Sequence, residues 1–133
     1  MYLLDTNILS DGRKSDTPAA LWLKAAASPL LLLSVVTLGE IERGVAMKKR
    51  SDQKAAESLA AWLLGIRTDY SNRVLPVTDR IAVAWGRLAA LKTRGDADGL
   101  IAATALVHDL ILVTRNMRDF EDTGVRLLDP WNA

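Results

Sequence analysis

The feature that most constrains this chain is a series of short apolar runs, each cut off by a polar residue and separated from the next by a helical pattern. Tyr2-Leu3-Leu4, Leu30 to Val36, Val74 to Val77, Leu110 to Val113 and Val125 to Leu128 are too short for buried helices. They are apolar enough to be strands covered on both faces. Pro76 marks the third as a sheet edge, because proline cannot donate to a central ladder. Strands joined by helix-length connections predict a parallel sheet flanked by helices.

The intervening segments carry helix punctuation. Thr6 to Ser10 suits a short helix, and Asp11 to Asp16 reads as a polar loop. Thr17-Pro18 opens a second helix, with a capping hydroxyl and a proline suited to the first turn. Leu21, Trp22, Ala25 and Ala26 form its apolar face, and Ser28-Pro29 ends it. Thr37 to Glu40 begins a third, with Ile41, Val45 and Met47 at helical spacing. Asp52 to Arg67 is a long helix whose Ala55, Leu59, Trp62, Leu63 and Ile66 share one face. Thr78-Asp79 caps another, built on Ile81, Trp85, Leu88 and Leu91. Gly99 to Val107, opened by Asp96-Ala97-Asp98, is apolar nearly all round and is expected to be central. No linker, repeat or low-complexity run interrupts residues 1–133, which read as one domain.

Composition narrows the chemistry. The chain has no cysteine and one histidine, His108, so a disulfide framework and an ordinary zinc site are both excluded. His108 ends the helix that Asp98 opens, roughly 15 Å away at 1.5 Å per residue, too far to serve a site at Asp98 as base. No apolar run approaches the roughly 20 residues of a membrane span, and no leader precedes Met1-Tyr2, so the expectation is a soluble, cytoplasmic protein. The formal net charge of +1 favours no partner, and any nucleic-acid contact must use local basic patches.

What remains is acidic. Asp5 ends the first strand, Glu40 follows the second, and Asp98 opens the apolar helix, while Asn116 and Asp119 follow the fourth strand. Each has a local explanation: Asp5 as a helix cap, Thr37 to Glu40 as a capping box, Asp96 or Asp98 and Asp119 as caps. Parallel strands, however, deliver their C-termini to one edge, where open α/β sheets bind ligands. Carboxylates gathered there repel unless protons or a cation relieve them. An oxygen-only set suits Mg²⁺ or Mn²⁺. Such an ion can activate water and stabilise charge developing on a phosphoryl group.

The same stretches resemble PIN-domain ribonucleases. Leu3-Leu4-Asp5-Thr6-Asn7 and Ser34 to Gly44 resemble the family's first two motifs. Asp98 to Ala105 and Leu112 to Phe120 resemble the third and fourth, and Asp129-Pro130-Trp131-Asn132 completes the match. The likeness is nearest to the VapC and FitB toxins. It implies a three-layer α/β/α sandwich around a mostly parallel sheet of four to five strands. It also implies a Mg²⁺-dependent endoribonuclease acting on tRNA or other structured RNA, dimeric and restrained by an antitoxin. Asp5, Glu40 and Asp98 match the family's acidic positions. Asn116 stands where many relatives have Asp, so the fourth metal position falls to Asn116 or to Asp119, the latter as a direct substitute or through water. Thr6 and Thr114 match supporting positions.

Arg43, Lys48, Lys49 and Arg50 are candidate RNA contacts, although a solvated helix end favoured by the macrodipole is the better explanation of them and is compatible with the first. Two other classes compete with the nuclease. A catalytically inactive module would use the acidic pocket only to dock an antitoxin; the intact Asp5, Glu40 and Asp98 argue against it. A phosphoacceptor receiver would need a lysine after the last strand, where Asp129-Pro130 stands instead.

Overall fold

The computed structural model describes residues 1–132. Five strands form one sheet, parallel at every pairing: β1 (Tyr2–Leu4), β2 (Leu31–Ser34), β3 (Val74–Leu75), β4 (Ile111–Val113) and β5 (Leu127–Leu128). Their order across the sheet is β3-β2-β1-β4-β5. The chain therefore steps outward from β1 to β3, returns to the other side of β1 as β4, and steps outward again. Crossovers of one hand running in opposite directions land on opposite faces. One layer holds α1 (Thr6–Gly12), α2 (Pro18–Ala25), α3 (Val35–Lys48) and α4 (Gln53–Asp69). The other holds α5 (Asp79–Leu91) and α6 (Asp96–Val107), with the short α7 (Met117–Phe120) beside them. The result is the expected three-layer sandwich, and Pro76 does flank an edge strand.

Alternation in β1 builds both cores. Leu3 faces α5 and α6 with Ile81, Ile101, Leu112 and Phe120, whereas Leu4 faces the opposite layer with Ile8, Leu33, Ile41 and Val113. Each of these ten side chains is at least nineteen-twentieths buried. Burying one such side chain stabilises by about 1.5–3 kcal/mol.

The helix boundaries differ from the sequence reading in instructive ways. The second run ends as strand at Ser34, whose hydroxyl accepts the Val36 N–H at 3.0 Å and starts α3 there. Thr37 and Glu40 consequently lie inside the helix rather than forming a capping box at its start. α1 runs on to Gly12 and takes in Asp11, which the residue pattern alone places in a loop. Leu21, Met47 and Leu91, expected on apolar faces, are 59%, 55% and 75% exposed. Pattern located the amphipathic stripes but not their edges, since α2 buries the small Ala19 and Ala20 instead.

α6 sits against α5 because Gly99 leaves room for Trp85: a Cβ at position 99 would lie 2.8 Å from the indole Cδ1. Gly99→Ala gains about 1 kcal/mol of helix propensity but meets an overpacking cost of about 1–3 kcal/mol. The expected net result is destabilisation by about 1 kcal/mol, read as a lower urea midpoint at unchanged slope. An increase in stability would show that the indole moves aside freely.

Candidate active site

β1 and β4 pair with Leu4 opposite Val113, so the two strands finish together and the residues that follow them, Asp5 and Thr114, are neighbours. This is also where strand order reverses, the position at which open parallel sheets form a crevice. A cleft of about 340 Å³ opens there, lined by Asp5, Thr6, Asn7, Ser10, Asp11, Glu40, Asp98 and Asn116.

Asp5 is the cleft's buried acid, 4% exposed. One carboxylate oxygen accepts the Thr6 N–H at 2.8 Å, so the residue does cap α1. The other accepts the Thr114 hydroxyl at 2.8 Å. Thr114 is itself fully buried, and its oxygen also accepts the Asn116 N–H at 3.0 Å. These contacts favour the carboxylate, but burial outweighs them. With the charges of Asp98 and Glu40 adding to it, burial pushes the Asp5 carboxyl up to about 6.

Glu40 reaches the cleft from the opposite side. Ser34 starts α3 early enough to place Glu40 in the second turn, where Oε1 accepts the Thr6 hydroxyl at 2.5 Å. The buried Thr37 hydroxyl lies 3.3 Å from that of Thr6, tying α3 to the start of α1. Asp98 comes from the α5–α6 layer. Neither it nor Asp96 caps α6: the N-cap is Gly95, with no side-chain cap bond. Burial raises the Asp98 carboxyl, Glu40 and Asp119 raise it further, and Arg94 opposes them.

The sequence-predicted constellation is thus brought together at Asp5, Glu40, Asp98 and Asn116, with Thr6 and Thr114 holding the first two. Asp119 is exposed on α7 and does not line the cleft, although its charge reaches Asp98. Arg43, Lys48, Lys49 and Arg50 are exposed on and beyond α3 and none lines the cleft. Lys48 is eight residues beyond Glu40, about 12 Å down the helix axis. Asn7, Ser10 and Asp11 line the cleft and were missed. Their signal was spacing: Ser10 and Asp11 follow Thr6 and Asn7 by one helical turn, which places them on the same side once α1 extends to Gly12.

Among the described residues, no three carboxylates close into a ready-made cage around an ion. The donor set nevertheless fits Mg²⁺. That ion dehydrates reluctantly and is held through one or two carboxylates, waters and substrate phosphates rather than an all-protein shell. An open cleft with carboxylates on its separate walls suits such binding, and their mutual repulsion is the cost a cation would relieve.

The chain is similar to known proteins over nearly its whole length. The PIN domain model matches residues 2–125. A VapC ribonuclease from Sinorhizobium fredii is 32% identical over 145 residues, covering 98% of both chains. The FitAcB crystal structure from Neisseria gonorrhoeae superposes with a TM-score of 0.88 at 30% identity over 100% of both chains. A toxin-antitoxin complex from Klebsiella pneumoniae superposes with a TM-score of 0.69 at 28% identity, covering 98% of each. The matched region holds all three cleft carboxylates and the threonines that fix two of them, and the chain belongs to the PIN-domain family.

Proposed function

We propose that this chain is a Mg²⁺- or Mn²⁺-dependent endoribonuclease and the toxin of a toxin–antitoxin pair. The observation that carries the reading is Asp5, a buried carboxylate held at the sheet's switch point in a cleft that it shares with Glu40 and Asp98. The relatives named as VapC ribonuclease and as part of a toxin-antitoxin complex support it. Asp5 and Asp98 would hold the ion, and Glu40 would complete its surroundings. A divalent cation supplies Lewis acidity there, making water more acidic and offsetting charge on the phosphoryl group.

The chain's own groups do the positioning. Thr114 and the Thr6 N–H fix both oxygens of Asp5. The Thr6 hydroxyl fixes Oε1 of Glu40, while Oε2 has no hydrogen-bond partner among the described residues and is left to orient a water. In-line attack by that water on an RNA phosphodiester leaves a 5′-phosphate and a 3′-hydroxyl. Structured RNA such as tRNA is the proposed substrate class, and the working compartment is the cytoplasm. The proposed partners are an antitoxin and a second copy of the chain. Leu21 on α2 and Leu64 on α4, 59% and 65% exposed, are the apolar groups offered to an antitoxin. No helix among the described residues is long and apolar enough to cross a membrane.

Asp5→Asn and Asp98→Asn should each lower RNA cleavage more than about a hundredfold while the protein stays folded, and Thr114→Val should lower it about 10- to 100-fold, as loss of an outer-shell partner does. EDTA should silence the wild type and Mg²⁺ or Mn²⁺ restore it, read by sequencing RNA 5′ ends. Full activity in Asp5→Asn, or indifference to chelator, would overturn the mechanism. Absent cleavage with intact antitoxin binding would instead favour a docking module.

Asn116 lines the cleft as a neutral group, whereas Asp119 stands outside it. Asn116→Asp should therefore tighten Mg²⁺ binding severalfold in calorimetric titration, and Asp119→Asn should weaken it only slightly. A loss in Asp119→Asn as deep as that in Asp5→Asn would make Asp119 the fourth ligand.

The raised Asp5 carboxyl also fixes a pH dependence. Between its unfolded value of 3.8 and its folded value of about 6, the metal-free folded protein binds more protons than the unfolded chain. Its contribution is fully present below pH 4 and is lost as pH rises through 6. At about 1.4 kcal/mol per pK unit, the loss is about 3 kcal/mol. Mg²⁺ at a hundredfold excess over its dissociation constant should restore about 2.7 kcal/mol above that range. Urea melts in EDTA and in Mg²⁺ at pH 4.5 and 7 test both signs; metal-free stability that rises across the interval would contradict the assignment.

A further inference from the structure

We propose that Arg115, stacked on Trp131 at the rim of the acidic cleft, is a phosphate-binding residue that holds the nucleic-acid backbone beside the carboxylates. The inference rests on the ribonuclease reading and adds the contact that reading lacks. A cleft lined by Asp5, Asp11, Glu40 and Asp98 repels a polyanion, and the basic residues at the end of α3 do not reach it. A divalent ion in the cleft would offset part of that repulsion, and a fixed cation at the rim would hold the backbone on its approach.

Five arginines are pinned in place by contacts, and four are committed elsewhere. Arg94 forms a two-pronged pair with Asp122 at 3.1 and 3.2 Å. Arg73 donates to the carbonyls of Ser28, Leu31 and Asp69. Arg126 is bound to Asp109, and Arg13 lies over Trp62 and donates to Ser58. Arg115 differs. Its guanidinium lies 4.4 Å from the centroid of the Trp131 ring, yet its side chain makes no hydrogen bond among the described residues. Its nearest acid is the cleft residue Asp11, at 3.8 Å, and the Arg115 side chain is 55% exposed. An exposed pair at that separation holds its members weakly. Stacking occupies the face of the guanidinium and leaves its edge donors free for the two-pronged grip that phosphate accepts.

Both halves of this device are anchored. The Arg115 N–H donates to Asn7 Oδ1 at 3.4 Å, and Asn116 is tied to Thr114, which fixes the loop leaving β4. On the other side Asp129 accepts the Trp131 N–H at 2.9 Å on one oxygen and the Asn132 amide at 2.8 Å on the other. The closing Asp129-Pro130-Trp131-Asn132 stretch, which no step of the proposed chemistry uses, thereby acquires a role. It forms a turn that presents the indole to Arg115.

The test measures fluorescence anisotropy of a labelled single-stranded RNA oligonucleotide, with Asp5→Asn as the parent so that the RNA survives. Adding Arg115→Ala should weaken binding about tenfold and reduce the slope of log K against log salt by about 0.7, the loss of one phosphate contact on a single strand. Arg115→Lys should keep the slope. Trp131→Leu should weaken binding with the slope nearly unchanged, since it removes the platform and not the charge. Asp11→Asn should tighten binding in the presence of Arg115 and by less in its absence, a coupling that a double-mutant cycle isolates. Unchanged affinity and slope in Arg115→Ala, with the parent binding RNA, would overturn the subsite alone. Loss of antitoxin binding in place of RNA binding would also overturn it, moving Arg115 to a protein interface. A parent and wild type that neither bind nor cleave RNA would overturn the function and this subsite together.

Discussion

The hydrogen bond from Thr114 to Asp5 joins two strands that are adjacent only because the chain reverses direction between them. Leu4 and Val113 finish in register, so the side chains that follow meet across the end of the sheet. Slipping that pairing by one residue would turn the apolar set of a strand to the wrong face. It would place Leu3 where Leu4 packs, so the two cores defend the geometry of the site. The bond is also unequal to its task. Three donors reach Asp5, the third being the Asn7 amide at 3.4 Å, yet the carboxyl is still pushed up to about 6, because removal from water costs more than they return.

The other two acids arrive by different routes, and the cleft depends on both. Glu40 descends from the α3 layer and Asp98 from the α6 layer, so carboxylates from opposite faces of the sheet converge over one strand end. Each is adjusted by a neighbour outside the cleft's acidic set: Thr6 holds Glu40, and Arg94 opposes the rise of the Asp98 carboxyl. The side chain of Arg94 is only 5% exposed, and it also ties the end of α5 to Asp122 beyond α7. The two walls are therefore braced independently, and charge relief at their meeting point is left to something that binds.

Much of this was legible in the sequence, for identifiable reasons. Runs such as Leu110 to Val113 have few alternatives to a buried parallel strand, and an acid following such a run can face only the sheet's C-terminal edge. What was not legible depended on local competition between hydroxyls. Ser34 and Thr37 can each start a helix, and nothing in the residues says which will; the structure gives the cap to Ser34 and frees Thr37 and Glu40 to contact Thr6. The same kind of ambiguity hid Ser10 and Asp11, since Asp11-Gly12 looks like a turn until α1 is seen to continue through it. The basic stretch at Lys48 carries little information about ligands, because charge at a helix end is favoured by the dipole whether or not a ligand is near.

Capping a helix and lining the cleft are not competing explanations at Asp5. In a parallel α/β sheet the strand's C-terminus is the next helix's N-terminus, so a carboxylate placed at the crevice meets unpaired helix N–H groups as a matter of course. One oxygen of Asp5 takes the Thr6 N–H, and the other is held by Thr114. At Asp98 the two roles separate. It stands in the first turn of α6 without capping it, so its carboxylate is free of backbone duty while burial and neighbouring acids work against its charge. Its charge still lies in the first turn of α6, where the helix dipole favours it, so burial and its acidic neighbours are only partly opposed. Asn116 fits the same logic from the other direction: an amide on the cleft wall, in place of a further carboxylate, spares the metal-free protein one more mutual repulsion.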